Sequence, residues 1–311
     1  MELSIKCIWN EKYHSEAITS ITNCRNNTNM FGSCSRDKTI LIWKLEQEEN
    51  EKLIVAIKRL KGHSHFVSCI KLSNNGDFCI SSSWDCSVRL WDVISGKAVR
   101  RFDGHKKSVL SVSFSDDERQ IISCSRDSTI KVWNTIGECK KTLSDKNSSS
   151  WICIARLINN KNEELISSNW DGEINLWNIN ENKILRKLLG HKNYVNELAI
   201  SPDGSLCASG GGDNNIILWD LNEGKHLYSL EISDRIVSIT FSPNHYWLII
   251  GSNTKILIWD LETKKMIFEY FLINKDSTFN NTEKICSLFW DSNSSTIITG
   301  SQGGYIKILK F

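Results

Sequence analysis

An all-β fold of seven repeated units closed into a ring is what this sequence predicts, and three observations predict it. An ending built on Trp recurs as Leu-Ile-Trp43-Lys, Arg-Leu-Trp91-Asp, Lys-Val-Trp133-Asn, Asn-Leu-Trp177-Asn, Ile-Leu-Trp219-Asp and Leu-Ile-Trp259-Asp, at spacings of 48, 42, 44, 42 and 40 residues. A seventh copy with Leu309 in place of Trp follows after 50 residues. Each of the first five Trp is preceded, six residues earlier, by an Asp in a polar turn: Asp37, Asp85, Asp127, Asp171 and Asp213. Between these landmarks the apolar residues alternate or run in short stretches, as in Phe66-Val-Ser-Cys-Ile-Lys-Leu72, with no sustained helical period. Four such strands make one twisted sheet, and seven sheets set radially leave only short, protected edges, the arrangement of a seven-bladed β-propeller.

The elements follow in chain order. Leu3 to Trp9 has strand character before the first repeat, and because the seventh unit stops at Phe311 after three strands, this segment is expected to supply its missing outer strand. Tyr13-His14 opens the first unit, and Gly62-His63, Gly104-His105 and Gly190-His191 open three others. Four residues before each Asp stands a Ser: Ser33, Ser81, Ser123, Ser167 and Ser209. The fourth unit has Asp145-Lys146 where Gly-His would stand, the sixth has Asn253 in its turn, and the seventh lacks both Asp and Trp, so the later blades are expected to be locally less rigid. A long insertion, Asn274 to Lys284, precedes the last blade. One propeller domain, residues 1–311, accounts for the whole sequence.

Composition excludes several classes. Hydrophobic residues at 40% and charged residues at 24%, with 17 Gly and 2 Pro, exclude disordered, collagen-like and Pro-rich readings. The net charge of +2 is far from that of a dedicated nucleic-acid module, but residues 1–110 hold 17 Lys+Arg against 12 Asp+Glu, so a basic patch is expected in the first third. The 11 Cys are single and mostly within apolar runs, without a CxxC pair, which argues against disulfides and zinc. Four sequons, at Asn26, Asn147, Asn280 and Asn293, come with no apolar leader in the first 30 residues and no span of membrane length, and a cytosolic protein with reduced thiols is expected.

Repeated Ser, His and Asp invite a hydrolase reading, yet a nucleophile is needed once, in a cleft, and not in every blade. A Trp-Ser-His-Asp hydrogen-bond network tying strands to turn is the economical account, because buried polar groups require partners. Its members are expected to be His14, Ser33, Asp37 and Trp43; His63, Ser81, Asp85 and Trp91; His105, Ser123, Asp127 and Trp133; and His191, Ser209, Asp213 and Trp219. Ser209-Gly-Gly-Gly-Asp213 lacks the helix and Lys-Ser/Thr of a phosphate loop, and His63-x-His65 lacks a third metal ligand. No catalytic residue, cofactor or metal is expected.

The five Ser/Asp/Trp frames, four of them with a His, resemble the WD40 repeat. Gly62-His-Ser-His-Phe-Val-Ser68, Ser83 to Asp92, Arg100-Arg-Phe, Ser201 to Gly211, Trp219 to Tyr228 and Ser242-Pro-Asn-His-Tyr-Trp247 further resemble the receptor for activated C kinase family, similar in fold to G-protein β subunits. The resemblance implies a non-catalytic scaffold on the head of the small ribosomal subunit, bound to rRNA and ribosomal proteins in one copy per ribosome, that also docks signalling kinases such as protein kinase C. Independently, alternating strands place the Asp37 turn and each connection before Gly-His at one end of the ring. Arg36, Lys38, Lys58, Arg59, Lys61, Arg100, Arg101, Lys106, Lys107 and Arg126 stand in those connections or beside them, and are expected to form one basic edge on blades 1 to 3. By motif the rRNA contacts are Arg36 and Lys38, then Lys61, Arg100, Arg101 and Lys107, with Lys58 beside them; Lys61, where the family often has Arg, keeps the charge but loses the bidentate fork.

The acidic run Glu46 to Glu51 is expected to project from the opposite end. Family segments implicated in kinase binding correspond to Ser108–Ser115 and Lys255–Glu262, both of which also read as blade strands, and Tyr228 and Tyr246 stand in matched contexts where phosphorylation or partial burial is expected. The alternative is a free adaptor of the G-protein β type that binds only proteins; strand-like sequence from Leu3, where that type carries a helix, favours the ribosome.

Overall fold

The computed structural model describes residues 6–27, 29–48, 51–158, 161–242, 245–271, 284–291 and 296–310. The described residues form 28 strands in seven four-stranded antiparallel sheets. After β1 (Lys6–Lys12), the first blade is β2 (Ile18–Asn23), β3 (Met30–Ser35), β4 (Thr39–Glu48) and β5 (Glu51–Lys61). Blades 2 to 6 run from β6 (Val67–Leu72) to β9 (Lys97–Asp103), from β10 (Val109–Phe114) to β13 (Cys139–Ser144), from β14 (Ile152–Ile158) to β17 (Lys183–Leu188), from β18 (Val195–Ile200) to β21 (Lys225–Glu231), and from β22 (Ile236–Phe241) to β25 (Lys265–Phe271). The seventh blade is β26 (Ile285–Asp291), β27 (Thr296–Ser301) and β28 (Tyr305–Lys310), completed by β1.

Closure joins the two ends of the sequence. β1 pairs antiparallel with β28, from Lys6 opposite Lys310 to Lys12 opposite Tyr305, as expected for an outer strand drawn from the N-terminal segment. The observed strand continues past Trp9, the expected end, to Lys12; Leu3 to Ile5 lie outside the described residues. Gly304, at φ 85°, lets its carbonyl accept the amides of both Tyr13 and His14 at 3.3 Å, and a Cβ there would meet the His14 carbonyl. Of the insertion Asn274 to Lys284, only Lys284 belongs to the described residues.

The blades are held by apolar layers between neighbouring sheets. Trp43, Trp91, Trp133, Trp177 and Trp219, on the third strands of blades 1 to 5, are at most 2% exposed. Ile42, Ile70, Leu60 and Trp91 share one cluster across blades 1 and 2, and Ile18, Trp43, Ile298 and Ile308 share another across the closure. The first strands line a central channel of about 1300 Å³. In it Arg156 Nη2 donates to Glu197 Oε1 at 3.0 Å.

A bulge at every Trp shapes the outer strands. Ile42 pairs with Lys58 but Trp43 pairs with Ala56, which leaves Ile57 extra; blades 2 to 6 repeat the slip at Trp91, Trp133, Trp177, Trp219 and Trp259. Such a bulge raises twist and redirects the side chains beside it. The β4–β5 hairpin carries Glu46 to Glu48 and Glu51 away from the Asp37 turn, as the expected topology requires.

Candidate functional site

Each Trp, Ser, His and Asp of the repeated frame comes from a different place in its blade. The Trp lies on the third strand, the Ser on the second, the His on the entry to the first and the Asp on the turn between second and third. In blade 1, His14 Nδ1 lies 2.9 Å from Asp37 Oδ2 and Nε2 2.9 Å from Ser33 Oγ, while Trp43 Nε1 donates to that Ser33 oxygen at 2.9 Å. The corresponding three distances are 2.8, 2.8 and 2.8 Å in blade 2, 3.0, 2.8 and 2.8 Å in blade 3, and 2.9, 2.7 and 2.8 Å in blade 5. The Asp also accepts the amide two residues beyond it, at 2.9 Å for Thr39, and so holds the turn.

Electrostatics follow from this burial. Desolvation pushes Asp37, Asp85 and Asp127 upward, but hydrogen bonds from His14 and Thr39, His63 and Ser87, and His105 and Thr129 outweigh it and hold all three far below the usual carboxylate range. Burial lowers His63 and His191 from the ordinary value of 6.5 despite the facing carboxylates. In these four blades each Ser hydroxyl is fully buried and tied to an indole and an imidazole; the arrangement is a clamp.

Blades outside the frame use other pairs. Asp171, grouped with the frame by spacing, is exposed and meets no His; Asn169 Oδ1 instead accepts the amides of Asp171 and Glu173 at 3.1 and 2.8 Å. In the Asp145-Lys146 connection of blade 4, Asp145 Oδ2 accepts from Lys187 Nζ at 2.8 Å, and Lys187 reaches Glu173 at 3.4 Å. In blade 6, Asp234 accepts the amide and hydroxyl of Thr254 at 3.0 and 2.8 Å, and Ile249 stands where a Ser would receive the Trp259 indole.

The basic residues divide between the two ends of the ring. Arg36 and Lys38 are exposed in the Asp37 turn, Lys38 at φ 68°, and Lys61 is exposed at the end of β5 opposite Thr39. Lys106 and Lys107 are exposed on the connection before β10, where the Lys106 amide donates to Asp127 at 2.8 Å. These five share one end. Arg101 lies mid-strand on β9 and is half-neutralised by Asp103 at 2.9 Å, both groups being exposed; such a pair adds about 0–1 kcal/mol.

Lys58 and Arg100 depart from the expected edge. Each follows the bulged residue of an outer strand and lies against the far turn of the next blade: a Cβ on Gly96 would sit 3.8 Å from Lys58 Cδ, and one on Gly137 3.1 Å from Arg100 Cδ. Equivalent positions repeat the contact, with Lys141 Nζ donating to the Ile179 carbonyl at 2.9 Å and Arg186 Nη1 to the Asn222 carbonyl at 2.6 Å. For Lys58 and Arg100, nearness to the strand ends points to the Asp37 end instead. What spacing hides is that these cations brace neighbouring blades.

The family segments and tyrosines also find their places. Ser108–Ser115 is largely β10, an inner strand with buried Val109 and Val112, and Lys255–Asp260 is a third strand with buried Ile256 and Ile258. Tyr228 is half-buried beneath Lys264 Nζ, 5.3 Å from its ring centre, whereas Tyr246 is 70% exposed. Among the described residues, no cluster of three or more His, Cys, Asp or Glu is arranged to hold a metal ion.

Comparison with known proteins agrees with this geometry. The chain is 45% identical over 297 residues, 95% of its length and 93% of the relative's, to the Small ribosomal subunit protein RACK1 of Drosophila melanogaster. It is 45% identical over 299 residues, 94% of its length and 93% of the relative's, to the MST50-interacting protein 11 of Pyricularia oryzae. The family model for the WD domain, G-beta repeat, matches residues 5–44, 55–92, 96–134, 182–220, 224–260 and 275–309, leaving out only the blade whose His is replaced by Lys146, and with seven sheets in a ring the chain belongs to the WD domain, G-beta repeat family.

Proposed function

We propose that the chain is a non-catalytic scaffold of the small ribosomal subunit, seated in the cytoplasm through the blade 1 to 3 end that carries Arg36, Lys38, Lys61 and Lys107. The observation that carries the reading is this exposed basic group at the Asp37 end, in a chain 45% identical to a relative named as a small ribosomal subunit protein. Lys and Arg on an exposed rim neutralise phosphates and release counterions without reading bases, so the seat is salt-sensitive and grips rRNA by its backbone. Ribosomal proteins complete the seat beside it. Arg101 contributes less, because Asp103 shares its charge, and Lys58 and Arg100 serve the blades.

Docking of signalling proteins, kinases among them, is the second part of the reading. The name of the MST50-interacting relative supports a protein-binding face. Because Ser108–Ser115 and Lys255–Glu262 are mostly core strands, a kinase would meet the turns around them and not the strands themselves.

Sucrose-gradient sedimentation of lysate at low and high salt tests the seat, comparing wild type with Arg36→Asp, Lys38→Glu. The expected result is wild type with small subunits at low salt and the folded double variant at the top. Wild type at the top at low salt makes the chain a free adaptor and overturns the proposal.

A further inference from the structure

The same hydrogen bond recurs at the Asp37 end of every blade. The amide after the second strand donates to the carbonyl before the first: Arg36 to Ala17 at 3.0 Å, Trp84 to Phe66 at 3.0 Å, Arg126 to Ser108 at 3.0 Å and Trp170 to Trp151 at 2.9 Å, with Gly212, Asn253 and Gln302 doing the same in blades 5 to 7. Seven pairs of residues therefore form a ring around this mouth of the channel, and Arg36 and Arg235 line the channel itself. The fold accepts Gly, Asn and Gln at these positions. The Trp and Arg in blades 1 to 4 are not demanded by it.

Those residues connect into one ladder. The Arg36 guanidinium lies 5.8 Å from the Phe66 ring centre, Phe66 5.6 Å from Trp84, and Arg126 stands between Trp84 at 5.0 Å and Trp151 at 3.7 Å. Trp151 is 5.2 Å from Trp170, which stacks on Tyr194 at 4.5 Å and 13°, and Arg235 lies 5.7 Å from Tyr194. Each guanidinium lies within cation–π distance of an aromatic ring, which favours its positive charge there. Among the described residues, Arg36, Arg126 and Arg235 make no ion pair with a carboxylate, and Trp84 and Trp170 keep 37% and 47% of their surface exposed.

We infer that this ladder is a second nucleic-acid site, adjoining the phosphate seat and sharing Arg36 with it, which takes an unpaired RNA segment laid around the channel mouth. Guanidinium N–H groups receive phosphates, and the exposed parts of the Trp84 and Trp170 indoles receive bases, the combination by which single strands are held without sequence preference. The ladder begins at Arg36, inside the basic group, so one RNA can pass from a paired region on the seat to an unpaired one on the ladder. An acidic peptide would satisfy the guanidiniums but would offer the exposed parts of the two indoles no aromatic partner; a nucleotide carries both parts. Asp171, exposed beside Trp170, limits the affinity at that end.

The experiment uses the purified full chain and fluorescence anisotropy of labelled oligouridylate of about twelve nucleotides, with an RNA duplex of equal length and a polyglutamate peptide as comparisons. Trp84→Ala, Trp170→Ala is expected to weaken oligouridylate about 100-fold, tenfold for each lost stacking surface, and to leave duplex binding unchanged. Trp170→Phe is expected to retain most of the affinity, and Asp171→Asn to raise it. Arg36→Asp, Lys38→Glu is expected to abolish sedimentation with small subunits and to reduce oligouridylate binding only severalfold, so that the two sites fail separately. No oligouridylate binding by the wild type at low salt, equal affinity in the folded Trp84→Ala, Trp170→Ala variant, a parallel loss of duplex binding, or polyglutamate bound more tightly through the same Trp and Arg would each overturn the inference.

Discussion

Ser81→Ala isolates the contribution of one clamp. The Ser81 hydroxyl is fully buried, accepts from Trp91 Nε1 at 2.8 Å and bonds His63 Nε2 at 2.8 Å. Alanine removes one oxygen and leaves two buried polar atoms without it. A buried group left unsatisfied costs about 1–3 kcal/mol, so the expected loss is roughly 2–4 kcal/mol after the smaller polar burial of Ala itself is allowed for. Against a total stability of about 5–15 kcal/mol that is a large fraction. The assay is guanidinium unfolding of wild type, Ser81→Ala, His63→Ala and the double variant, followed by far-ultraviolet circular dichroism and Trp emission. Because both residues belong to one network, the double variant should cost clearly less than the sum of the singles, by about 1 kcal/mol or more. A Ser81→Ala loss below about 0.5 kcal/mol, the size of an ordinary surface change, would refute the reasoning that these clamps hold the blades.

Acid should weaken the ring in two stages. His63 and His191 are lowered by burial, so the unfolded chain binds protons before the folded one does, and stability falls as pH drops below about 6.5. Asp37, Asp85 and Asp127 are also lowered, so their stabilisation is full above the unfolded value near 4 and is lost below it. Unfolding midpoints measured from pH 7.5 to 3 should decline through both windows, and a flat profile down to pH 5 contradicts the first. Arg100→Ala should leave sedimentation with small subunits and its salt dependence unchanged while lowering stability by about 1 kcal/mol through lost packing on Gly137; displacement from the subunit would return Arg100 to the binding edge.

The sequence by itself determined the architecture, because the evidence for it is repeated. Trp at intervals of 40 to 48 residues, each with its turn Asp, can only be satisfied by like units stacked side by side, and period-2 apolar runs make those units sheets. The clamp members were legible for the same reason, as was the N-terminal strand, since a seventh unit with three strands leaves an edge to be covered. Asp171 marks the limit: spacing counts it with the frame, but an Asp clamps only where a His faces it, and at that position blade 4 has Lys146. Nearness to strand ends places Lys58 and Arg100 at the Asp37 end; the one-residue bulge at each Trp, which leaves no mark in hydrophobic alternation, comes just before them, and they lie instead beside the Gly96 and Gly137 turns of the next blade. The ladder of Arg36, Trp84, Arg126 and Trp170 stood in the sequence as four residues following Ser or Asn, separated by more than forty positions. Only the closing of the ring, which sets equivalent turns of successive blades side by side, makes them neighbours.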